Sequence, residues 1–392
     1  MQAIARKTVG ELFGVNPNLF AVPRSPQAAA AGEPPKTTTI RVFNPSPDTP
    51  APIDGFVFQP DILRRILVWM SSGSLPAGFS KAKMKRNLMI FGPTGCGKTA
   101  LVGQVCARTG RPMIRYQCSK DSEVTQLFGS WKLCRPLVTD DNSSEEPGLL
   151  EKGVLGVSRA IEKLAIAMKK LTGLGPEMTF VDGPVLKWAR TPNAMLLLDE
   201  IDQLPPSVTM ALNGILDGDD ILVPETGERV KLADGSLIVA TGNTNGRGSA
   251  GGSGGSASLY KGVQRQNIAS LDRFFVVNTT YLSEDEEVAL LMDQVYMPEL
   301  GAKAMAKLAS VVRSQFLGLN EDAGANGEPL EFTITTRNLL NWGMTHRLMM
   351  HMGQDSLAAF KEGLRMTLLD FGTEAERKAV LDAWDNIIGV TA

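Results

Sequence analysis

Residues 92–99 read Gly92-Pro93-Thr94-Gly95-Cys96-Gly97-Lys98-Thr99 and are followed by Ala100. An apolar run precedes them and a helix-forming run follows, so the G-x-x-x-x-G-K-[ST] spacing joins a strand to a helix. Glycines let the N–H groups of such a loop point at phosphate oxygens, and the helix N-terminus adds partial positive charge. Residues 92–100 are therefore predicted to bind a nucleotide, with Lys98 at the phosphates and Thr99 at Mg²⁺. The alternative, a chance glycine turn, is disfavoured by the complete spacing after a buried strand.

A second apolar run ends in two acids, Asp199 and Glu200. Residues 194–198 predict a strand buried on both faces, and ligands of open α/β sheets bind at the carboxyl ends of such strands. We expect Asp199 to hold Mg²⁺ together with Thr99, and Glu200 to polarise an attacking water. The alternative is a pair of surface acids after a core strand. Asp202 is interpreted as a helix-capping or surface acid.

The third chemical signal is Asn243, at the tip of a buried strand predicted over residues 236–243. An amide at that position can hydrogen-bond both a γ-phosphate and a water. The glycine- and serine-rich stretch 244–258 predicts a flexible loop. A last strand is predicted within residues 268–277, and only helices after residue 284.

The bulk composition is that of a soluble globular protein. The chain has 392 residues, a formal net charge of −2 and four cysteines. That charge gives no overall field to attract nucleic acid. The cysteines show no C-x-x-C pairing, so neither a zinc site nor a disulfide framework is predicted. No apolar run reaches the ~18 residues of a membrane helix, and a cytoplasmic protein is expected.

Composition divides the chain into four parts. Residues 1–21 form a short segment, either a docking element or an ordered edge. Residues 22–55 contain many prolines and predict an extended linker without a core. Residues 56–282 predict the α/β nucleotide-binding domain, and residues 283–392 a smaller all-helical lid domain. Within the α/β domain an amphipathic helix is predicted over 157–171, either packed on its own domain or facing a partner.

Taken together, the motifs resemble AAA+ ATPases of the MoxR and dynein-related type. The resemblance rests on the phrases GPTGCGKT, MLLLDEID, ATGNTN, SLDRF and TTRNLLNW, and covers about residues 10–20 and 55–390. Within that family the chain is similar to the branch that contains the AAA+ subunit of aerobic cobaltochelatase and its CbbQ and NorQ relatives. It departs from the branch in an insertion over 135–178 and in a longer linker.

The resemblance implies roles for Asn243 and for two further residues. Asn243 matches the sensor-1 position, and Arg337 matches sensor 2, which reaches the nucleotide from the helical lid. Arg273 matches the arginine finger, which acts on the nucleotide of a neighbouring subunit. The resemblance also implies ATP with Mg²⁺, a homo-hexameric ring, and a protein partner with a von Willebrand A domain. No membrane contact is expected, because no apolar run is long enough for a membrane helix.

Two functions from different classes remain open at this stage. The first is an ATP-driven remodeller that acts on a protein partner, for example in metal insertion. The second is a nucleic-acid motor or a restriction-type nucleotidase, against which the near-neutral charge counts. A nucleotide-switched scaffold with little turnover is disfavoured by the intact Glu200.

Overall fold

The computed structural model of the protein describes residues 4–20, 38–72, 87–134, 177–243, 271–317, 330 and 332–391. In the first part of the chain the elements are β1 (Ala5–Thr8), α1 (Val9–Phe13), β2 (Thr39–Val42), α2 (Pro60–Ser72), β3 (Asn87–Phe91), α3 (Lys98–Thr109), β4 (Met113–Gln117), α4 (Val124–Phe128), β5 (Gly129–Cys134), β6 (Glu177–Asp182), α5 (Pro184–Arg190), β7 (Met195–Asp199), α6 (Pro206–Asp217), β8 (Ile221–Leu222), β9 (Arg229–Val230), β10 (Leu237–Gly242) and β11 (Phe274–Asn278). The helices that follow are α7 (Glu284–Gln294), α8 (Glu299–Leu317), α9 (Thr336–His351), α10 (Ser356–Thr367) and α11 (Glu374–Thr391).

A five-stranded sheet in the order β11-β3-β10-β7-β4 organises the first part, and all of its strand pairs are parallel. Every residue of β3, β7 and β10 is buried. Strands covered on both faces lose their polar alternation and become apolar runs, which is why these three strands were visible in the sequence. The predicted α/β fold, a parallel sheet followed by helices, is confirmed.

Helices cover both faces of this sheet and create two separate cores. On one face Leu198 and Ala240 pack with Trp188 of α5. On the other face Leu197 packs with Val102 of α3. Since helices pack on both faces of the sheet, the loops at the carboxyl ends of its strands are attached to a well-packed core.

The N-terminal segment and part of the predicted linker belong to the second core. β1 and β2 form an antiparallel pair, from Ala5 opposite Val42 to Thr8 opposite Thr39. Ile40 is 8% exposed and Phe43 is 3% exposed. The linker interpretation of residues 22–55 therefore does not hold for 38–55, because a few apolar side chains between the prolines suffice to dock this stretch on α3.

The predicted insertion, residues 135–178, lies between the two strands of one β-hairpin, and the second strand overlaps its last two residues. β5 and β6 pair antiparallel, from Gly129 opposite Asp182 to Cys134 opposite Glu177. The amphipathic helix predicted over 157–171 and the glycine- and serine-rich stretch 244–258 lie outside the described residues.

The last five helices enclose a core of their own, centred on Trp342, Phe360 and Trp384. The prediction of only helices after residue 284 agrees with these five helices of the described residues. Cys96, Cys106 and Cys118 are free thiols. Across the described ranges, no helix is both long and apolar enough to cross a membrane, and no group of three or more His, Cys, Asp or Glu side chains is placed to hold a metal ion.

Candidate nucleotide-binding site

The phosphate loop, residues 92–99, joins the end of β3 to the start of α3. Gly95 and Gly97 take left-handed conformations, with φ of +73° and +89°, which side-chain-bearing residues rarely adopt. A Cβ on Gly95 would also lie 2.3 Å from Thr335 Cγ2, just before α9. Glycine at this position therefore serves both the curl of the loop and the close approach of the helical domain.

Lys98 is nearly buried, at 9% exposure, and its ammonium group is held in place. Its Nζ donates to the carbonyl oxygens of Gly92 and Pro93, at 2.8 and 3.0 Å, and to Asn243 Oδ1 at 2.8 Å. Burial lowers the pKa of Lys98. The lysine thus lies between the loop and the tip of β10, and an anion is the natural partner for a buried cation whose present acceptors are all neutral.

Asp199, at the end of β7, is 4% exposed and accepts from three side chains. Thr99 Oγ1 lies 3.0 Å from each of its carboxylate oxygens. Thr241 Oγ1 donates to Oδ1 at 2.5 Å, and Arg115 donates to Oδ2 from Nη2 at 2.6 Å and from Nε at 3.0 Å. The carboxylate is therefore oriented toward the first turn of α3.

Glu200 follows directly and has a left-handed backbone, with φ 58° and ψ 48°. Such a conformation costs on the order of 1 kcal/mol or more for a residue with a side chain. The Glu200 side chain accepts from Gln117 Nε2 at 3.0 Å and from Gln203 Nε2 at 2.6 Å. Burial, with Asp199 and Asp202 nearby, raises its pKa. The left-handed turn lies between Asp199 and the rest of the chain that follows, and the amides of Gln117 and Gln203 hold the Glu200 carboxylate in place.

Asp202 is buried, with no exposed surface, so the surface interpretation of this acid is wrong. Its Oδ2 accepts the backbone N–H of Asn243 at 2.9 Å. That bond ties the tip of β10 to the turn after β7. It thereby helps to place the Asn243 amide against Lys98.

A cavity of about 360 Å³ adjoins the phosphate loop, between the sheet and the helical domain. Its walls include Gly97 and Ala100 from the loop side, Phe56 and Ile62 from the region of α2, and Arg337 from α9. The Arg337 side chain makes no hydrogen bond or ion pair with the described residues. The structure thus brings Arg337 to the same cavity as the phosphate loop.

Arg273 lies elsewhere, just before β11. Its neighbour Phe274 is paired with Asn87, at the start of β3, whereas the phosphate loop follows the end of β3. At about 3.3 Å per residue the two ends of β3 are roughly 13 Å apart. Arg273 instead pairs with Asp217, with Nε 2.7 Å from Oδ1. The alternative to a finger role is that Arg273 satisfies a local carboxylate, for which the sequence suggested Asp272 or Asp202; the carboxylate that lies 2.7 Å from its Nε is that of Asp217.

Sequence reasoning missed Arg115, Gln117, Gln203 and Thr241, which surround the two acids. A signal for two of them was present. Arg115 and Gln117 are two apart on β4 and so share one face of the strand. That face had to meet the carboxyl end of β7 once β4 was known to be its neighbour, which the sequence alone did not establish.

A glycine-rich loop between a buried parallel strand and a helix, facing acids at the end of another strand, defines a P-loop nucleotide-binding domain. The family follows from comparison with known proteins. The AAA domain of the dynein-related subfamily matches residues 87–154 and 159–261. These residues of the chain therefore match an AAA domain of the dynein-related subfamily, in agreement with the predicted resemblance.

Several proteins are similar to this chain. The aerobic cobaltochelatase subunit CobS of Sinorhizobium sp is 28% identical over 327 residues, which cover 80% of this chain and 78% of that protein. An uncharacterised protein of Staphylococcus saprophyticus is 28% identical over 207 residues, 53% of this chain and 60% of its own length. A similar protein of Staphylococcus haemolyticus is 27% identical and is matched over 58% of its length, so the chain spans about three fifths of these two relatives. A solved structure from Cytophaga hutchinsonii has a TM-score of 0.38 and 14% identity over 79% of this chain and 82% of its own.

Proposed function

We propose that this protein is an ATP-hydrolysing AAA+ ring ATPase that remodels or activates a protein partner. The observation that carries the proposal is the convergence of Lys98, Asn243 and Asp199 on one loop. Lys98 Nζ is 2.8 Å from Asn243 Oδ1, and Thr99 Oγ1 is 3.0 Å from Asp199. A cation, an amide and a carboxylate so placed match the needs of phosphoryl transfer, which is catalysed mainly by positioning and charge.

The residues present fit a magnesium ion. Mg²⁺ prefers hard oxygen ligands and is usually held by one or two protein groups besides water and phosphates. The Thr99 hydroxyl and the Asp199 carboxylate are such oxygens, and they already lie within hydrogen-bond distance of each other. When bound, the ion would supply positive charge that neutralises phosphate oxygens.

The chain's own groups then divide the remaining work. Lys98 would exchange neutral acceptors for phosphate oxygens. Glu200, held by two glutamines at the edge of the site, would orient the attacking water. Asn243 would bridge that water and the terminal phosphate. The cavity beside Ala100 would receive the base and sugar, and Arg337 lies on its wall.

A ring accounts for the position of Arg273. The side chain lies beyond reach of the phosphate loop of its own chain, at the opposite end of the sheet. In a ring it would face the nucleotide of a neighbour, where a guanidinium stabilises the charge of the transition state. A homo-hexamer is the expected ring. By similarity to the cobaltochelatase subunit, the partner would be a protein with a von Willebrand A domain, and metal insertion its task.

The test compares two variants of the full chain. Glu200→Gln is expected to retain ATP binding, measured with a fluorescent ATP analogue, and to lose turnover by about 100-fold or more, as loss of a positioned base predicts. Lys98→Ala is expected to lose binding itself. Near-normal hydrolysis by Glu200→Gln would overturn the assignment of the water-orienting residue. No ATP binding by the unmodified protein would overturn the function.

A further inference from the structure

The connection between the sheet and the helical domain, residues 279–283, carries a tyrosine that touches the phosphate loop. Tyr281 Oη donates to the carbonyl oxygen of Thr94 at 2.7 Å. The backbone carbonyl of Tyr281 accepts from Gln59 Nε2 at 3.2 Å. The hinge residue is therefore bound to the loop through its side chain and to the start of α2 through its backbone.

The ring of Tyr281 lies under a buried guanidinium. Arg313 of α8 is 6% exposed, and its Cζ lies 4.2 Å from the centroid of the tyrosine ring. A desolvated guanidinium is attracted to the face of an aromatic ring by the ring's quadrupole. Tyr281 thus touches the phosphate loop through its hydroxyl and the helical domain through its ring.

Arg313 connects three segments of the helical domain. Two of its nitrogens each donate to a carboxylate oxygen of Glu287 at 2.8 Å, and Nε donates to the carbonyl of Ile334 at 2.7 Å. Glu287 has no exposed surface and also accepts from Thr336 Oγ1 at 3.1 Å. Thr336 is the residue before Arg337.

A buried ion pair is weak evidence for stability, because desolvation offsets much of the attraction. What such a pair does supply is a defined geometry, and here the geometry leads from the phosphate loop to the helix that carries Arg337. A second contact runs beside it, where Gly95 of the loop meets Thr335 with no room for a Cβ. The helical domain and the loop are therefore joined at two neighbouring points.

We propose that Tyr281 is a positioning residue for the nucleotide site. Its hydroxyl holds the Thr94 carbonyl in register with α9 through Arg313 and Glu287, so that the loop and Arg337 reach the nucleotide together. The role rests on the proposed function, since it presumes that the loop and Arg337 contact one nucleotide.

Tyr281→Phe tests the role, because it removes one hydroxyl and keeps the ring under Arg313. One hydrogen bond is worth about 1 kcal/mol, which corresponds to roughly fivefold in an equilibrium constant. We expect Kd and KM for ATP to rise about fivefold, with the thermal unfolding midpoint lowered by no more than about 4 °C. The matched control is Tyr296→Phe. Tyr296 lies 5.5 Å from the guanidinium of Arg347 within the helical domain, is 76% exposed and does not contact the phosphate loop. The Tyr296→Phe variant should leave Kd and KM for ATP unchanged.

A double-mutant cycle separates positioning from a simple loss of loop stability. If Tyr281 acts through the placement of Arg337, then Tyr281→Phe should change Kd less than twofold in an Arg337→Ala background. Full additivity of the two changes, or an unchanged Kd for Tyr281→Phe alone in a protein that binds ATP, would overturn the positioning role only. Failure of the unmodified protein to bind ATP would overturn the proposed function and this role with it.

Discussion

The Arg115 guanidinium donates to a single carboxylate oxygen of Asp199, from Nη2 at 2.6 Å and from Nε at 3.0 Å. The same carboxylate accepts from Thr99 and is the proposed magnesium ligand. Arg115 is half-exposed, so its side chain can swing outward into water, which would leave the buried Asp199 carboxylate without its cation. The Arg115 guanidinium therefore lies beside the Asp199 carboxylate, close to where a bound divalent ion would lie.

Replacing Arg115 by glutamine is therefore expected to strengthen magnesium binding. The repulsion between a guanidinium and a divalent ion a few ångströms apart is on the order of 1 kcal/mol even when well screened. The Mg²⁺ concentration for half-maximal ATP hydrolysis should fall about fivefold. Arg190→Gln is the matched control, because Arg190 is similarly exposed and pairs with Asp182 and Glu228 away from the site. An unchanged or increased Mg²⁺ requirement for Arg115→Gln would contradict the expectation.

Arg273→Ala should bind ATP and hydrolyse it about 10³-fold or more slowly, the usual effect of losing an arginine finger. Mixing this variant with Glu200→Gln should restore part of the activity, because some interfaces in mixed rings combine an intact Glu200 with an intact Arg273. Steady-state ATPase rates over a range of protein concentrations are the measurement. Activity of the unmodified protein should also rise with concentration as rings form.

Asp217→Asn distinguishes the finger from a local structural role. It breaks the ion pair with Arg273 and leaves the arginine in place. If Arg273 acts on a neighbour, Asp217→Asn should keep most of the activity. Equal losses in Asp217→Asn and Arg273→Ala, or no recovery in verified mixed rings, would favour the local ion pair.

The insertion can be removed at a point that the structure defines. Cys134 and Glu177 form the last pair of the β5–β6 hairpin, and such paired residues lie about 5 Å apart. An Asn-Gly turn should therefore replace residues 135–176 without strain on the sheet. We expect unchanged ATP affinity and thermal stability, with any stimulation by a partner lost. A large drop in the unfolding midpoint would mean that the helix predicted over 157–171 packs in the core of its own domain.

Stability of the helical domain should fall at acid pH because of His346. Burial lowers its pKa, and its ring stacks on Phe360 with the centroids 3.8 Å apart. The folded state therefore disfavours protonation, so the contribution is complete above the unfolded pKa of about 6.5 and is lost as pH falls through the lower folded value. The unfolding midpoint should drop between about pH 7 and pH 5. His346→Gln should reduce that drop, whereas substitution of the exposed His351 should not.

The strands that could be predicted were those that the fold buries on both sides. β3, β7 and β10 are buried throughout and mostly apolar, and the loop and acids at their ends follow a spacing that phosphate binding requires. β2 was missed because it is an edge strand in a proline-rich stretch and contributes only a few buried side chains, such as Ile40. The many prolines of residues 22–55 favoured a linker more strongly than these few apolar side chains favoured a strand.

The sequence by itself determined the phosphate loop, the strands that carry Asp199 and Asn243, and the order of sheet before helices. These depend on residues close together in the chain, whose periodicity or spacing has a direct physical cause. Only the tertiary structure decided that Arg115 meets Asp199, because the two strands are neighbours in space but lie 84 residues apart along the chain. It likewise decided that Tyr281 reaches the phosphate loop, and that Arg273 lies at the end of the sheet away from its own loop. Strand order and domain contact set those relationships, and no local pattern encodes them.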